Sequence, residues 1–187
     1  MSDHLAAQIT IGGCISRAFV PGLCTALAAQ RAALEWGDAP FTPTTVEELL
    51  AARQMIDGET VLRLYDSQAR HGQFVQLESF LLKRRIAFDR RTEGRFDHAP
   101  ELVAYRPDEE QCLFVTDGDE IVVPAAPLWE LADALSDFRR QLRRDPRIVT
   151  RERFEELLAR FRRHLPPRPT PLGAFEIGRS IGLRSAA

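Results

Sequence analysis

Lysine is almost missing from this chain. Of its 25 basic residues Lys83 is the single lysine and the rest are arginine. The excess runs through segments with no plausible ligand, so biased codon usage in a GC-rich genome accounts for it, and it carries no functional weight. Cysteine is scarce too. Cys14, Cys24 and Cys112 are odd in number and sit at no metal-ligand spacing, which fits buried thiols in a reducing cytoplasm and excludes a disulfide framework. No stretch approaches about 18 consecutive apolar residues, so no membrane span is expected. The start, Met1-Ser2-Asp3-His4, lacks the cationic-then-apolar layout of a secretory signal. A cytoplasmic location follows as the expectation. Also missing are Gly-x-Gly-x-x-Gly, Gly-Lys-Ser/Thr, His-Glu-x-x-His and Gly-x-Ser-x-Gly, so no cofactor is implied and no motif announces a reaction.

What is present is the composition of an ordinary globule. The 187 residues are 44% hydrophobic and 28% charged, which excludes a mainly disordered or collagen-like chain. The formal net charge of −2 hides an asymmetry. Residues 1–138 hold 12 basic and 22 acidic groups, whereas residues 139–168 hold 11 arginines against Asp145, Glu152, Glu155 and Glu156. Such a split points to electrostatic partnering, either with phosphates or with the acidic body of the chain itself.

Periodicity organises the chain into an α+β fold. Ile9 and Ile11 alternate with polar neighbours in a strand ending at Gly12-Gly13. Ser16 can cap the helix that carries Phe19, Leu23 and Leu27, with Pro21 in its first turn. Thr44-Thr45-Val46-Glu47 reads as a capping box that opens a helix through about Met55, closed by Asp57-Gly58. Thr60 to Asp66 and Ile86 to Asp89 read as strands on either side of a helix marked by Phe74, Leu77, Phe80 and Leu81. Short connections make this a βαβ unit with two adjacent parallel strands. Leu102–Arg106, Cys112–Val115 and Glu120–Val123 follow as an antiparallel meander, with Asp117-Gly118 as a hairpin turn. The expected sheet is therefore mixed, a βαβ unit plus a meander, with helices on one face.

The last third reads as helical. Leu128, Leu131, Leu135, Phe138 and Leu142 step by three and four, and Phe154, Leu158, Phe161 and Leu165 do the same after a break at Asp145-Pro146 and a cap at Thr150. Two such helices joined by a short loop form an antiparallel hairpin. The expected organisation is an α+β domain over 1–126, a hairpin over 127–165 packed on it, and a Pro-rich linker with an apolar tail over 166–187.

Three places could carry chemistry. Asp66, His71, Asp89 and His98, with Asp97 nearby, could converge at the ends of parallel strands. Two carboxylates and two imidazoles could hold a divalent metal for phosphodiester cleavage, with Arg70, Arg90 or Arg91 steadying substrate charge. Their spacing matches no metal motif, and Asp89 changes face with a one-residue register error. Gly12-Gly13 before a helix could cradle an anion, although a tight turn explains the pair, and Cys14 near the helix start could be a nucleophile. Finally Arg139, Arg140, Arg143, Arg144, Arg160 and Arg163 could track a phosphate backbone. That contact would be poor in sequence specificity, because Phe138, Phe154 and Phe161 lie on the seam and offer no stacking surface. The reading that needs no hidden motif is a non-catalytic interaction or adaptor module. It would present the hairpin and the hook Leu172, Phe175 and Ile177 to a protein partner or a second copy. The alternatives are the metal-dependent hydrolase and the nucleic-acid binder.

Overall fold

The computed structural model describes residues 4–95, 99–107, 109–116, 120–123, 125–144, 151–166 and 169–178. Asp97, His98, the Asp117-Gly118 turn, Asp145-Pro146 and Thr150 lie outside them. The chain divides into two compact units, one made of Met1–Glu120 with Pro169–Ala187 and the other of Ile121–Arg168. The second unit is thus an insertion within the chain of the first.

The first unit is built on six strands: β1 (His4–Ile11), β3 (Gln54–Ile56), β4 (Glu59–Arg70), β5 (Phe88–Thr92), β6 (Glu101–Arg106) and β7 (Glu109–Phe114). Their order is β3-β4-β1-β5-β6-β7, and every neighbouring pair is antiparallel. A small parallel pair, β2 (Cys14–Ser16) with β8 (Glu176–Gly178), stands apart. The helices are α1 (Val20–Gln30), α2 (Val46–Ala51) and α3 (Val75–Arg84). The class is α+β.

One expectation about connectivity is corrected. The strand–helix–strand unit exists as β4-α3-β5, but its strands are not neighbours, because β1 lies between them and is antiparallel to both. β4 and β5 therefore run in the same direction, one strand apart. The apolar residues Leu5, Ala7, Ile9 and Ile11 of β1 are all buried, as suits a central strand. Each strand's periodicity was visible, but periodicity does not name a neighbour. Two further readings change. Glu120–Val123 is not a strand; instead Thr116 N–H donates to the Glu120 carbonyl at 2.8 Å. Asp57-Gly58 does not close a helix, because α2 ends at Ala51 and the pair turns β3 into β4. Both residues have positive φ, 51° and 86°, the geometry of a primed hairpin turn.

The capping box is real but lies one residue further on. Thr45 accepts from the Glu48 N–H at 3.1 Å, and a Glu48 carboxylate oxygen accepts from the Thr44 and Thr45 N–H groups at 2.6 and 3.2 Å. Those bonds, above all from Thr44, hold the Glu48 carboxyl below the usual carboxylate range. A lowered folded-state pKa stabilises above the unfolded value of about 4.3 and is lost as pH falls through the folded one. Glu48→Gln is therefore expected to lower the melting temperature at neutral pH and to flatten its decline below about pH 4.3. An unchanged acid limb in thermal melts would refute this.

Core packing explains the rest of the unit. Ile9, Ile11, Leu62, Leu64 and Phe88 on one face of the sheet meet Leu23 and Leu27 of α1 and Leu77 and Leu81 of α3. Burying each such side chain contributes roughly 1.5–3 kcal/mol. Phe175 joins the same cluster at 0% exposure. Its N–H donates to the Thr60 carbonyl at 2.7 Å, and Arg53 Nη1 donates to its carbonyl at 3.3 Å. Gly13 N–H donates to Gly173 O at 2.9 Å, and Glu176 N–H donates to Gly13 O at 3.1 Å. The segment passes so close to Gly12 that a Cβ there would strike the Gly173 carbonyl. The expectation that the hook presents Phe175 to a partner is thus corrected: residues 169–178 form a strap, and Phe175 is an internal anchor at 0% exposure.

In the second unit, α4 (Ala125–Arg144) and α5 (Arg151–His164) pair through a Phe138–Phe154 contact with ring centroids 6.3 Å apart. Leu131 and Leu157 are buried.

Candidate functional site

The strand registers decide which proposed residues can meet. Asp66 sits opposite Ala7, on the core side, whereas Asp89 sits opposite Thr10, on the other side of the sheet. The two carboxylates point to opposite faces and share no ligand sphere. Each is also occupied. Asp66 Oδ1 accepts from the Gln68 N–H at 2.8 Å, inside a bulge that lets β1 step from Ala7 to Leu5 while β4 steps from Asp66 to Ala69. Asp89 is held by Arg106 in a fork, with Nη1–Oδ1 at 2.7 Å and Nη2–Oδ2 at 3.3 Å. His71 is exposed in the turn after β4, with φ 52°. His98 and Asp97 are outside the described residues. Among the described residues no three His, Cys, Asp or Glu side chains group as metal ligands.

Arg90, proposed to steady a substrate, has a different task. It lies on the core face, 5% exposed, where Nη1 donates to the Gly72 carbonyl at 2.8 Å and Nε is 3.4 Å from Glu78 Oε1. Glu78 Oε1 in turn accepts from the Phe74 N–H at the start of α3, at 2.7 Å. Thr92 Oγ1 donates to the same Gly72 carbonyl at 3.1 Å. This network fastens the β4–α3 turn to β5. Gly72 has φ 68°, and a Cβ on it would collide with Thr92.

Neither proposed thiol or anion site survives as drawn. Gly12 makes room for the strap, and the Gly13 N–H is spent on Gly173. Cys14 is exposed in β2, ahead of the helices. Burial, with the Glu48 charge adding to it, pushes the Cys24 thiol up and keeps it protonated at neutral pH.

The sheet face opposite the core carries a constellation that no sequence motif marks. Along one row, Arg63, Thr10 and Asp89 stand side by side; along the next come Tyr65, Gln8 and Arg91. A groove of about 300 Å³ opens over Arg63, Thr10, Asp89, Gln8 and Arg91, with Asp57, Glu59, Val61, Leu102 and Leu172 also in its walls. Arg63 Nε donates to Thr10 Oγ1 at 3.1 Å, which orients the guanidinium. Trp36 packs against Tyr65 with centroids 4.8 Å apart and stays half-exposed. The alternation of Ile9 and Ile11 with Gln8 and Thr10 was the readable signal that polar groups line this side. Leu172 gave no such signal, since the strap arrives from far along the chain.

In the inserted unit, Arg139, Arg140, Arg143 and Arg144 occupy the end of α4 and are exposed, as are Arg160 and Arg163 of α5. Arg140 pairs with Asp137 at 3.2 Å, with both side chains largely in solvent. Such a pair contributes little stability. Along α4 the acidic residues come first and the arginines last, with Glu130, Asp133 and Asp137 ahead of the cluster; α5 opens with Arg151 and Arg153 interleaved with Glu152, Glu155 and Glu156 and ends on Arg160, Arg162 and Arg163. The unit as a whole carries eleven arginines against seven acidic residues, net +4. Leu135, Leu142, Phe154, Phe161 and Leu165 of the apolar seam remain 38–49% exposed.

The fold and these sites define an α+β unit with an inserted helical pair, and no helix among the described residues is long and apolar enough to cross a membrane. Comparison with known proteins returns no family model, no curated protein and no solved structure that matches.

Proposed function

We propose that the protein is a non-catalytic interaction module, acting in the cytoplasm, whose α4–α5 pair seats an amphipathic helix of an acidic protein partner. The observation that carries this is the exposed seam. Five large apolar side chains lie on a two-helix unit rimmed by arginine. Burying each would gain roughly 1.5–3 kcal/mol, so the seam favours an occupant. Charge selects which. A second copy's identical pair would bring a net +4 surface against another, whereas acidic flanks on a partner helix would complement it. Leu172 and Phe175 are not part of this surface, being strap and core.

The test is fluorescence anisotropy with a labelled amphipathic peptide of about three heptads, leucine on one face and glutamate on its flanks. The peptide is expected to bind, more weakly as salt rises from ~50 to ~200 mM. A Leu142→Asp, Phe161→Asp variant is expected to bind at least about tenfold more weakly. Equal binding of a lysine-flanked peptide would overturn the charge argument. So would tighter binding of a DNA oligonucleotide with a steep salt dependence, or light scattering that gives a dimer which Phe161→Asp dissolves.

A further inference from the structure

We propose that the cleft beside Trp36 and Tyr65 binds a small organic cation, an alkylated ammonium head group, with the two aromatic rings as its bed and Glu35 as its counter-charge. The cleft belongs wholly to the first unit and is independent of the helical pair. It measures about 510 Å³, within the usual range for ligand sites, and is lined by Leu34, Glu35, Trp36, Gln54 and Tyr65. Backbone bonds fix it in advance. Ala33 and Tyr65 exchange both N–H···O bonds at 2.8 Å on the side of β4 away from β1. The Phe41 N–H closes the loop onto the Ala32 carbonyl, also at 2.8 Å. Between these clamps the Asp38 N–H reaches the Glu35 carbonyl at 3.4 Å, and Gly37 supplies the positive φ, 84°, that the third position of a type II turn requires. Trp36 is thereby held against Tyr65 with the ring planes inclined at 49°, yet keeps 47% of its surface in solvent. Binding to so fixed a surface immobilises little.

Charge selects the ligand. Among the described residues Glu35 is the one charge in the lining, and its carboxylate has no hydrogen-bond or ion-pair partner there. Leu34 also borders a second cavity across the loop, whose charged residues, Asp38 and Glu48, are again acidic; Thr44 and Thr45 occupy Glu48. The basic residues closest along the chain are directed elsewhere or lie outside the lining. Arg53 donates to the Leu50 and Phe175 carbonyls, and Arg63 leans on Thr10 of β1, across β4 from Trp36. Arg31 caps the end of α1 and is not part of the cleft. Aromatic faces attract cations through their quadrupoles, and an alkylated ammonium gives up its hydration more readily than a primary one.

The experiment is a titration of the full-length ¹⁵N-labelled chain with choline and with dimethylbutanol, its uncharged carbon isostere, at constant ionic strength. The Trp36 indole N–H and the Tyr65 amide are expected to shift saturably with choline, with a dissociation constant in the millimolar range, while the Trp129 indole on α4 stays in place. Dimethylbutanol is expected to bind at least about fivefold more weakly. Trp36→Leu, read at the Tyr65 amide, is expected to weaken choline binding roughly five- to tenfold. Glu35→Gln is expected to weaken it about fivefold, the effect of one charge at contact distance in water. If the Trp36→Leu spectrum loses its dispersion, Glu35→Gln, at an exposed loop position, decides. Equal binding of dimethylbutanol, shifts that never saturate, full affinity in the Glu35→Gln variant, or saturable binding of maltose in choline's place would each overturn the proposal.

Discussion

Replacing Arg90 with leucine is expected to destabilise the protein by about 3–5 kcal/mol, the range for breaking a buried ion pair by removing one partner. The magnitude follows from what is left behind. Glu78 is 16% exposed in its side chain and faces Arg90 at 3.4 Å; without the guanidinium it keeps a charge with little water to solvate it. The Gly72 carbonyl loses its 2.8 Å donor, although Thr92 still reaches it. Adding Glu78→Gln should recover part of the loss, because a largely buried charge goes while an acceptor for the Phe74 N–H remains. Urea denaturation gives both numbers. Since a domain's whole stability is about 5–15 kcal/mol, the single variant should show a much lower midpoint. A loss under about 1 kcal/mol would mean that the network is ornamental.

Phe175→Ala is expected to cost about 3–5 kcal/mol, the usual range for truncating a fully buried aromatic ring. It should do more than leave a cavity. Phe175 anchors the strap, and around it lie the Thr60, Gly13 and Arg53 hydrogen bonds. With the anchor gone, hydrogen exchange at the Gly13, Phe175 and Glu176 amides should accelerate well beyond the change elsewhere, and limited proteolysis should cut within 169–178. Phe175→Leu keeps most of the volume and should cost less than about 1.5 kcal/mol. If the alanine variant exchanges and unfolds like the parent, the strap is not a fastening.

The two effects differ in how far ahead they could be read. The apolar character of Leu172, Phe175 and Ile177 was plain in the sequence, and it suggested a hook for a partner. Its destination was not plain. The same three residues bury equally well against another chain or against their own core. What settles the matter is a close approach at Gly12 and a pair of backbone bonds at Gly13, neither of which a pattern of apolar residues can show. Arg90 is a sharper case. It alternates with Phe88 and Thr92 on the buried side of β5, so strand period alone would have placed it inside, against the expectation that arginine faces a ligand.

The candidate metal cluster failed through register. Asp66 and Asp89 belong to strands of the same direction, as their place around α3 suggested. But β1 separates those strands, and the pleat sends the two side chains to opposite faces. The alternation of Phe88, Arg90 and Thr92 puts Asp89 on the outer side of β5, but that the outer sides of β4 and β5 belong to one sheet with β1 between them is not written in either strand.

Local chemistry, by contrast, spoke for itself. Ile9 and Ile11 declare a half-buried strand because side chains alternate with period two. Ser16 marks a local start, since its hydroxyl accepts the Ala18 N–H at 3.3 Å and caps the 3₁₀ turn Arg17–Phe19 that leads into α1. Asp57-Gly58 marks an interruption, but whether it closes a helix or turns one strand into the next depends on the pairing of β3 with β4. The repeat from Leu128 to Leu142 declares an amphipathic helix. These depend on interactions between residues a few positions apart, and the order of residues alone determines them. Which strand lies beside which, which carboxylates meet, and that Arg63, Thr10 and Leu172 enclose one groove were decided by tertiary structure. Those contacts join segments many residues apart, and their free energy depends on the whole packed arrangement.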